Sequence, residues 1–178
     1  MDEIVEAALR KWPHVPACYG WLALDMRGQW WMRDDATQAA GPFPQVKGSL
    51  IRHEKLLGFI ERNYSVDAEG AWFFQNGPQR VYVTLEAAPW VLGVQQQPSH
   101  TLIQTHTGLT VAHVHQAIQD EQGRLYLHTE HGLGLVRSMD MHAALDALET
   151  LAWPFTTLHS AELPQRFGFV RVAALSDL

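Results

Sequence analysis

The chain has 178 residues, 47% of them hydrophobic and 18% charged, with a formal net charge of −6. That is enough apolar content for one domain or two small lobes, and the acidic balance argues against nucleic-acid or anionic-membrane partners, which need clustered Lys and Arg. Cys18 is the single cysteine and cannot form an internal disulfide, no apolar run reaches the roughly 20 residues of a bilayer span, and the acidic start MDEIVEAALRKW lacks a signal-peptide pattern; a cytoplasmic, reducing setting is expected.

In chain order, Ile4, Val5, Ala8, Leu9 and Trp12 recur at helical spacing over residues 2–12 before Pro13 and Pro16, which predicts a short docking helix. YGWLALDMRGQWWMR, 19–33, reads as a hairpin with its turn at Asp25–Gly28. Residues 34–48, rich in Pro and Gly and without periodicity, predict a loop long enough to cover a site. Ile51, Leu56, Phe59 and Ile60 predict a second helix over 50–62, with Asn63 as its stop. Residues 64–86 return to β patterning around the bend QNGPQR, where Asn76-Gly77 is the hairpin dipeptide and Pro78 stays out of the ladder.

WVLGVQQ is a further strand, and the polar QPSH at 97–100 reads as a joint between lobes 1–97 and 98–178. Beyond it come three or four strands with turns near Thr107-Gly108, Asp120–Gly123 and His131–Gly134. A helix capped by Ser138 follows, with Met141, Leu145 and Leu148 facing inward, and RFGFVRVAAL reads as a last strand.

The two halves echo one another. ALDMRGQWWMR corresponds to IQDEQGRLYLHT, each with an acidic residue, a Gly (28 or 123) and a bulky strand; GSLIRHEKLLGFIE corresponds to LGLVRSMDMHAALDALE, each with an Arg (52 or 137) before a helix. Either the chain is duplicated, or the echo is the ordinary alternation of hairpins and helices. Duplication makes the fold α+β, two related small lobes, each a mainly antiparallel sheet packed with a helix, and the groove between lobes is then the natural ligand site.

The motifs RGQWWMR, LIRHEKLLGFI, VDAEGAWFF and VYVTLEAAPW resemble, in order, those of a proteobacterial domain-of-unknown-function family numbered 1285. Asn76-Gly77-Pro78-Gln79 and the long loop from Asp34 to Lys47 depart from that pattern. KWPHVPACYGWLALD, FFQNGPQRVYV and LPQRFGFV are also similar to uncharacterised β-proteobacterial proteins. The first resemblance implies a duplicated α+β core, a pleckstrin-like second lobe and a signalling role in binding a small, nucleotide-like ligand.

Candidate chemistry lies in three groups. Among ten histidines, His113 and His115 share a strand face, and His106, His128 and His131 lie near in sequence; His113, His115 and His128 are the candidate metal ligands, but no HxxxH, HExxH or CxxC spacing supports a centre. The alternative is an exposed polar strand face. His53-Glu54 and Glu130-His131 are candidate acid–base pairs and Cys18 a candidate nucleophile, each set against a structural role. HGLGL lacks the features of a phosphate cradle.

Anion recognition therefore falls to Arg33, Arg52, Arg80 and Arg137, whose forks match carboxylate and phosphate, or which instead pair with Asp34, Asp35, Glu54 or Asp140. Gln75, Gln79 and Arg80 beside the bend are candidate ligand readers. Of the adjacent Trp30 and Trp31, one ring should enter the core and the other face solvent or a groove. The reading that combines these is a ligand-binding or regulatory module for a small nucleotide-like or anionic molecule. A metal-dependent hydrolase built on the histidines and a protein-interaction module that forms a homodimer are the alternatives, and no cofactor is named.

Overall fold

The computed structural model describes residues 1–174. The chain divides into two compact units, one of Met1–Asp25, Gln29–Glu86 and Gly168–Leu178, the other of Met26–Gly28 and Ala87–Phe167.

The first unit begins with α1 (Glu3–Lys11) and continues through β1 (Cys18–Leu24), β2 (Trp30–Met32), α2 (Asp35–Ala40), β3 (Ser49–Leu50), α3 (Glu54–Arg62), β4 (Tyr64–Val66), β5 (Trp72–Asn76) and β6 (Gln79–Leu85). Its strands form a six-stranded sheet in the order β3-β2-β1-β6-β5-β4. All pairs are antiparallel except β1 with β6. Leu24, Trp30, Ile60, Phe73, Phe74, Val83 and Leu85 form its core, each contributing roughly 1.5–3 kcal/mol by leaving water. Phe59 of α3 meets Phe74 of β5 edge to face at 5.4 Å. The imidazole Nδ1 of His53 accepts the Leu56 N–H and caps α3.

Residues 34–48 are not all loop. Oδ1 of Asp34 accepts both the N–H and the hydroxyl of Thr37, an N-cap that starts α2 in a stretch of good helix formers. The bend at 77 is shifted by one residue from the expected dipeptide: Asn76 pairs with Gln79, so the two-residue loop is Gly77-Pro78. Gly77 takes its positive φ of 57°, and Pro78 sits where no ladder N–H is needed.

The second unit carries β7 (Trp90–Gln96), β8 (Thr101–Thr105), β9 (Val114–Gln119), β10 (Leu125–Thr129), β11 (Gly132–Val136), α4 (Met141–Thr150), β12 (Phe155–Thr157) and α5 (Leu163–Phe167). Its sheet runs β12-β9-β10-β11-β7-β8, with β7–β11 and β9–β12 parallel. Because β7 pairs with β8 and β11, residues 97–100 are the turn of a hairpin inside this unit, closed by the Gln97 N–H on the His100 carbonyl, and not a joint between lobes. The turn expected at His131–Gly134 is tighter, since Thr129 pairs with Gly132.

Ser138 opens one 3₁₀ turn without capping α4 by its side chain. The buried face of α4 is Ala144 and Ala147, while Leu145 is exposed; small side chains let the helix lie close to β7. The expected C-terminal strand is replaced at its start by α5, because His159 and Glu162 form a capping box ahead of it. After it Gly168 turns at φ 66°, and Val170 makes only an isolated bridge to Ala71. Leu175 of that expectation lies outside the described residues.

The fold is therefore α+β with two six-stranded mixed sheets, and the topology is consistent with a duplication. In the first unit a hairpin β1–β2 pairs on to β3, a helix follows, and a later strand returns parallel to β1. In the second, β9–β10 pairs on to β11, a helix follows, and β12 returns parallel to β9.

The same local device closes several hairpins. Asp25, Asp67 and Asp120 each donate their N–H to the carbonyl four residues on and accept that residue's N–H on Oδ1, at 2.8–2.9 Å. Gly28, Gly70 and Gly123 follow three residues after them with φ between 76° and 82°, the left-handed residue of such a turn. Thr105 substitutes its hydroxyl in the same role, accepting the Leu109 N–H ahead of Gly108.

Candidate functional site

The polar cleft of the second unit is built by the β7–β8 hairpin. Gly93 pairs with Gln104 and Gln95 with Leu102, and the alternation of a strand puts Val91, Gly93, Gln95, Leu102, Gln104 and His106 on one face. Leu92, Val94 and Ile103 go to the other face and the core. With Arg27, Gly28 and Arg137 that face encloses about 350 Å³, at the small end of ligand cavities.

Arg137 is placed by the end of a ladder. Its N–H bonds the Leu92 carbonyl where β11 stops, and Oδ2 of Asp140 takes over the next ladder donor, the Val94 N–H, at 3.2 Å. The same oxygen accepts the Nε–H of Arg137 at 2.8 Å and lies 2.6 Å from Nη2 in the ion pair. The guanidinium thus lies over Gly93, where an added Cβ would stand 2.7 Å from Nη2; only glycine leaves that room. Nη1 has no partner among the described residues, and neither have the exposed carboxamides of Gln95 and Gln104.

His106 contributes a fixed tautomer. Its Nδ1 accepts the Val91 N–H at 3.2 Å, which needs a lone pair there and so a neutral ring protonated at Nε2. Trp90, with its ring 5.7 Å from His106, is anchored by donating Nε1–H to the His131 carbonyl.

The other expected residues are placed elsewhere. Trp30 is 1% exposed, in the first unit's core against Tyr64, whereas Trp31 turns the opposite way, donates Nε1–H to Asp25 and stacks under the Lys47 ammonium at 5.1 Å. Arg33 is buried and donates to the carbonyls of Val46 and Gly41, fastening the loop after α2. Gln75 is buried with its amide on the Gly77 carbonyl, a turn clamp. Gln79 donates to the Pro16 carbonyl and lines an apolar cleft of about 240 Å³ with Cys18, Met32, Ile60 and Phe74. Arg80 covers the Phe73 ring at 4.2 Å, and Arg52 is exposed. Of the eight residues expected to read a ligand, Arg137 alone lines the polar cleft.

The histidine candidates do not converge. His115 and His128 stand 5.3 Å apart by ring centroid, and the Phe167 ring lies 5.0 Å from that of His128. Partial burial, and then the neighbouring His115, lower the pKa of His128. His113 is exposed and offers its N–H to Glu130. Among the described residues no group of three His, Cys, Asp or Glu side chains is arranged to hold a metal ion. Glu130 accepts the backbone of Ala112 and His113, and the ring of His131 reaches the Thr110 carbonyl; this pair fastens a loop.

Sequence reasoning missed Arg27, Gln95 and Gln104, and weighed His106 only as a histidine near the metal candidates. The signal was present in the alternation G-x-Q on β7 and L-x-Q-x-H before Thr107, but reading residues 97–100 as a joint hid that the two runs pair.

Fold and cleft define a two-unit α+β protein with a polar, arginine-bearing pocket in its second unit. The chain belongs to the family described as protein of unknown function (DUF2946), whose model matches residues 1–174. No curated protein matches the chain. Among solved structures it is similar to a DUF1285 family protein from Silicibacter pomeroyi DSS-3, with 15% identity, a TM-score of 0.50 and coverage of 82% of this chain and 84% of that one. A DUF1285 family protein from Shewanella baltica OS155 matches with 15% identity and a TM-score of 0.49, covering 71% and 91%. The first of these likenesses extends the resemblance in the sequence motifs to the fold. No helix among the described residues is long and apolar enough to cross a membrane.

Proposed function

We propose that the protein is a ligand-binding or regulatory module that takes a small anionic, nucleotide-like molecule in the polar cleft of its second unit. The observation that carries this reading is Arg137, held by Asp140 over the bare backbone of Gly93 with Nη1 unpartnered among the described residues. A guanidinium fixed in advance loses little side-chain entropy on binding. The carboxamides of Gln95 and Gln104 add donors and acceptors for the uncharged part of a ligand.

A thermal-shift screen of nucleotides and carboxylate metabolites tests the reading, with Arg137→Gln beside the wild type. Stabilisation of the wild type that is lost in the variant supports it, since a ligand bound only by the native state raises Tm. Stabilisation that Arg137→Gln leaves intact contradicts it.

A further inference from the structure

We infer that the cleft selects a singly charged anion, a phosphodiester or monocarboxylate, over a doubly charged one of the same shape; this rests on the reading of the cleft given above. The cations lining the cleft are Arg27 and Arg137. Asp140 spends its carboxylate on Nε and Nη2 of Arg137, so a ligand on the outer edge of that guanidinium meets a cation already paired, with the countercharge on its far side. His106 adds no charge while its Nδ1 accepts the Val91 N–H. The lining side chains and Asp140 together bring at most one net positive charge.

A monoanion asks for no more than that charge. A dianion leaves its second charge unmatched and exposed to repulsion from Asp140 across one guanidinium, and unmatched like charges act on specificity more than on gross affinity. The remaining recognition groups, the carboxamides of Gln95 and Gln104 on the same face, are neutral. They suit hydroxyl, amide or ring nitrogen groups and give no help to a second anionic centre.

The experiment compares two pairs by isothermal titration at pH 8 on the full chain: adenosine 3′,5′-cyclic monophosphate with adenosine 5′-monophosphate, and N-acetylglutamine with N-acetylglutamate. Above the second phosphate pKa of about 6 the members of the first pair carry one and two charges. In whichever pair binds, the monoanion is expected to bind about tenfold more tightly. Asp140→Asn, which keeps an oxygen for the Val94 N–H, is expected to abolish or reverse that preference. A dianion that binds the wild type as tightly as its partner, or a preference that Asp140→Asn leaves unchanged, overturns the inference and spares the binding site. If none of the four binds, the reading of the cleft falls and the inference falls with it. The pair that binds decides between phosphodiester and carboxylate.

Discussion

Tyr126 donates its hydroxyl to Oδ2 of Asp120 at 3.2 Å, inside the second unit's core. The indole of Trp31 makes the equivalent contact to Asp25, and Tyr82 to Asp67. In each turn one carboxylate oxygen closes the hairpin while the other receives an aromatic donor, so a charge that is buried at Asp25 and Asp120 and half-buried at Asp67 is satisfied on both sides. Asp120 also receives Nε of Arg124 at 2.7 Å.

Asp120→Ala removes the buried carboxylate that accepts the Tyr126 hydroxyl and pairs with Arg124. Loss of one member of such a group costs about 3 kcal/mol, whereas Tyr126→Phe leaves the carboxylate, its turn and Arg124 in place and costs about 1 kcal/mol. Urea unfolding of both variants measures the difference, and equal costs would contradict this role for the carboxylate.

Gly93 and Gly70 separate binding from folding. Gly93 has ordinary backbone angles, and a Cβ there meets only the far end of Arg137 at 2.7 Å. Gly93→Ala should therefore cost under about 1 kcal/mol of stability while weakening ligand binding about tenfold. A Cβ on Gly70 stands 2.5 Å from the Gly168 carbonyl oxygen at φ 82°, so Gly70→Ala should cost about 3 kcal/mol. Gly123→Ala, with similar φ but open space, should cost about 1–2 kcal/mol. Denaturant midpoints for the three variants check the order.

Glu121 reports on the loop before α5. Its carboxylate accepts the hydroxyl and the N–H of Ser160, and these bonds, the hydroxyl's first, hold its pKa down to about 2 against an ordinary 4.5. A depressed folded pKa means that the contact stabilises above the ordinary value and is lost as pH falls from 4.5 toward 2. Carbon-13 NMR should show the Glu121 carboxyl titrating near 2 in the wild type and closer to 4.5 in Ser160→Ala.

The His115–His128 pair gives a second titration. His128 should titrate below 6.5 because burial disfavours its cation more than its neighbour does. Substituting His115 by Ala should raise that midpoint only part of the way, read from imidazole proton shifts. Full recovery would make the neighbouring charge, not burial, the main cause.

Much of the fold was legible because period-2 runs and turn residues coincide: Asp25 and Asp120, each three residues before a Gly, mark hairpins that the structure contains, whereas the same turn at Asp67–Gly70 was hidden inside the β patterning of 64–86. The halves echo at Asp25 and Asp120 because both carboxylates clamp the same turn. What was not legible depended on partners distant in sequence. Strand β12 is three residues long and exists through its parallel pairing with β9, and α2 rests on one side-chain cap, that of Asp34. Arg33 and Gln75 looked like ligand readers because side-chain chemistry alone cannot tell a ligand from a backbone carbonyl. Arg137 could be named from sequence, and so could its ion pair with Asp140, but its place over Gly93 follows from the β7–β11 register.

The central claim is that the ligand is held at Arg137. A crystal structure of the full chain, soaked with the compound that most raises Tm in the screen, tests it most directly. The account predicts density for that compound within hydrogen-bond distance of Arg137 Nη1 and of Gln95 or Gln104; the compound bound in the apolar cleft beside Cys18 and Phe74, with the Arg137 cleft empty, would contradict it.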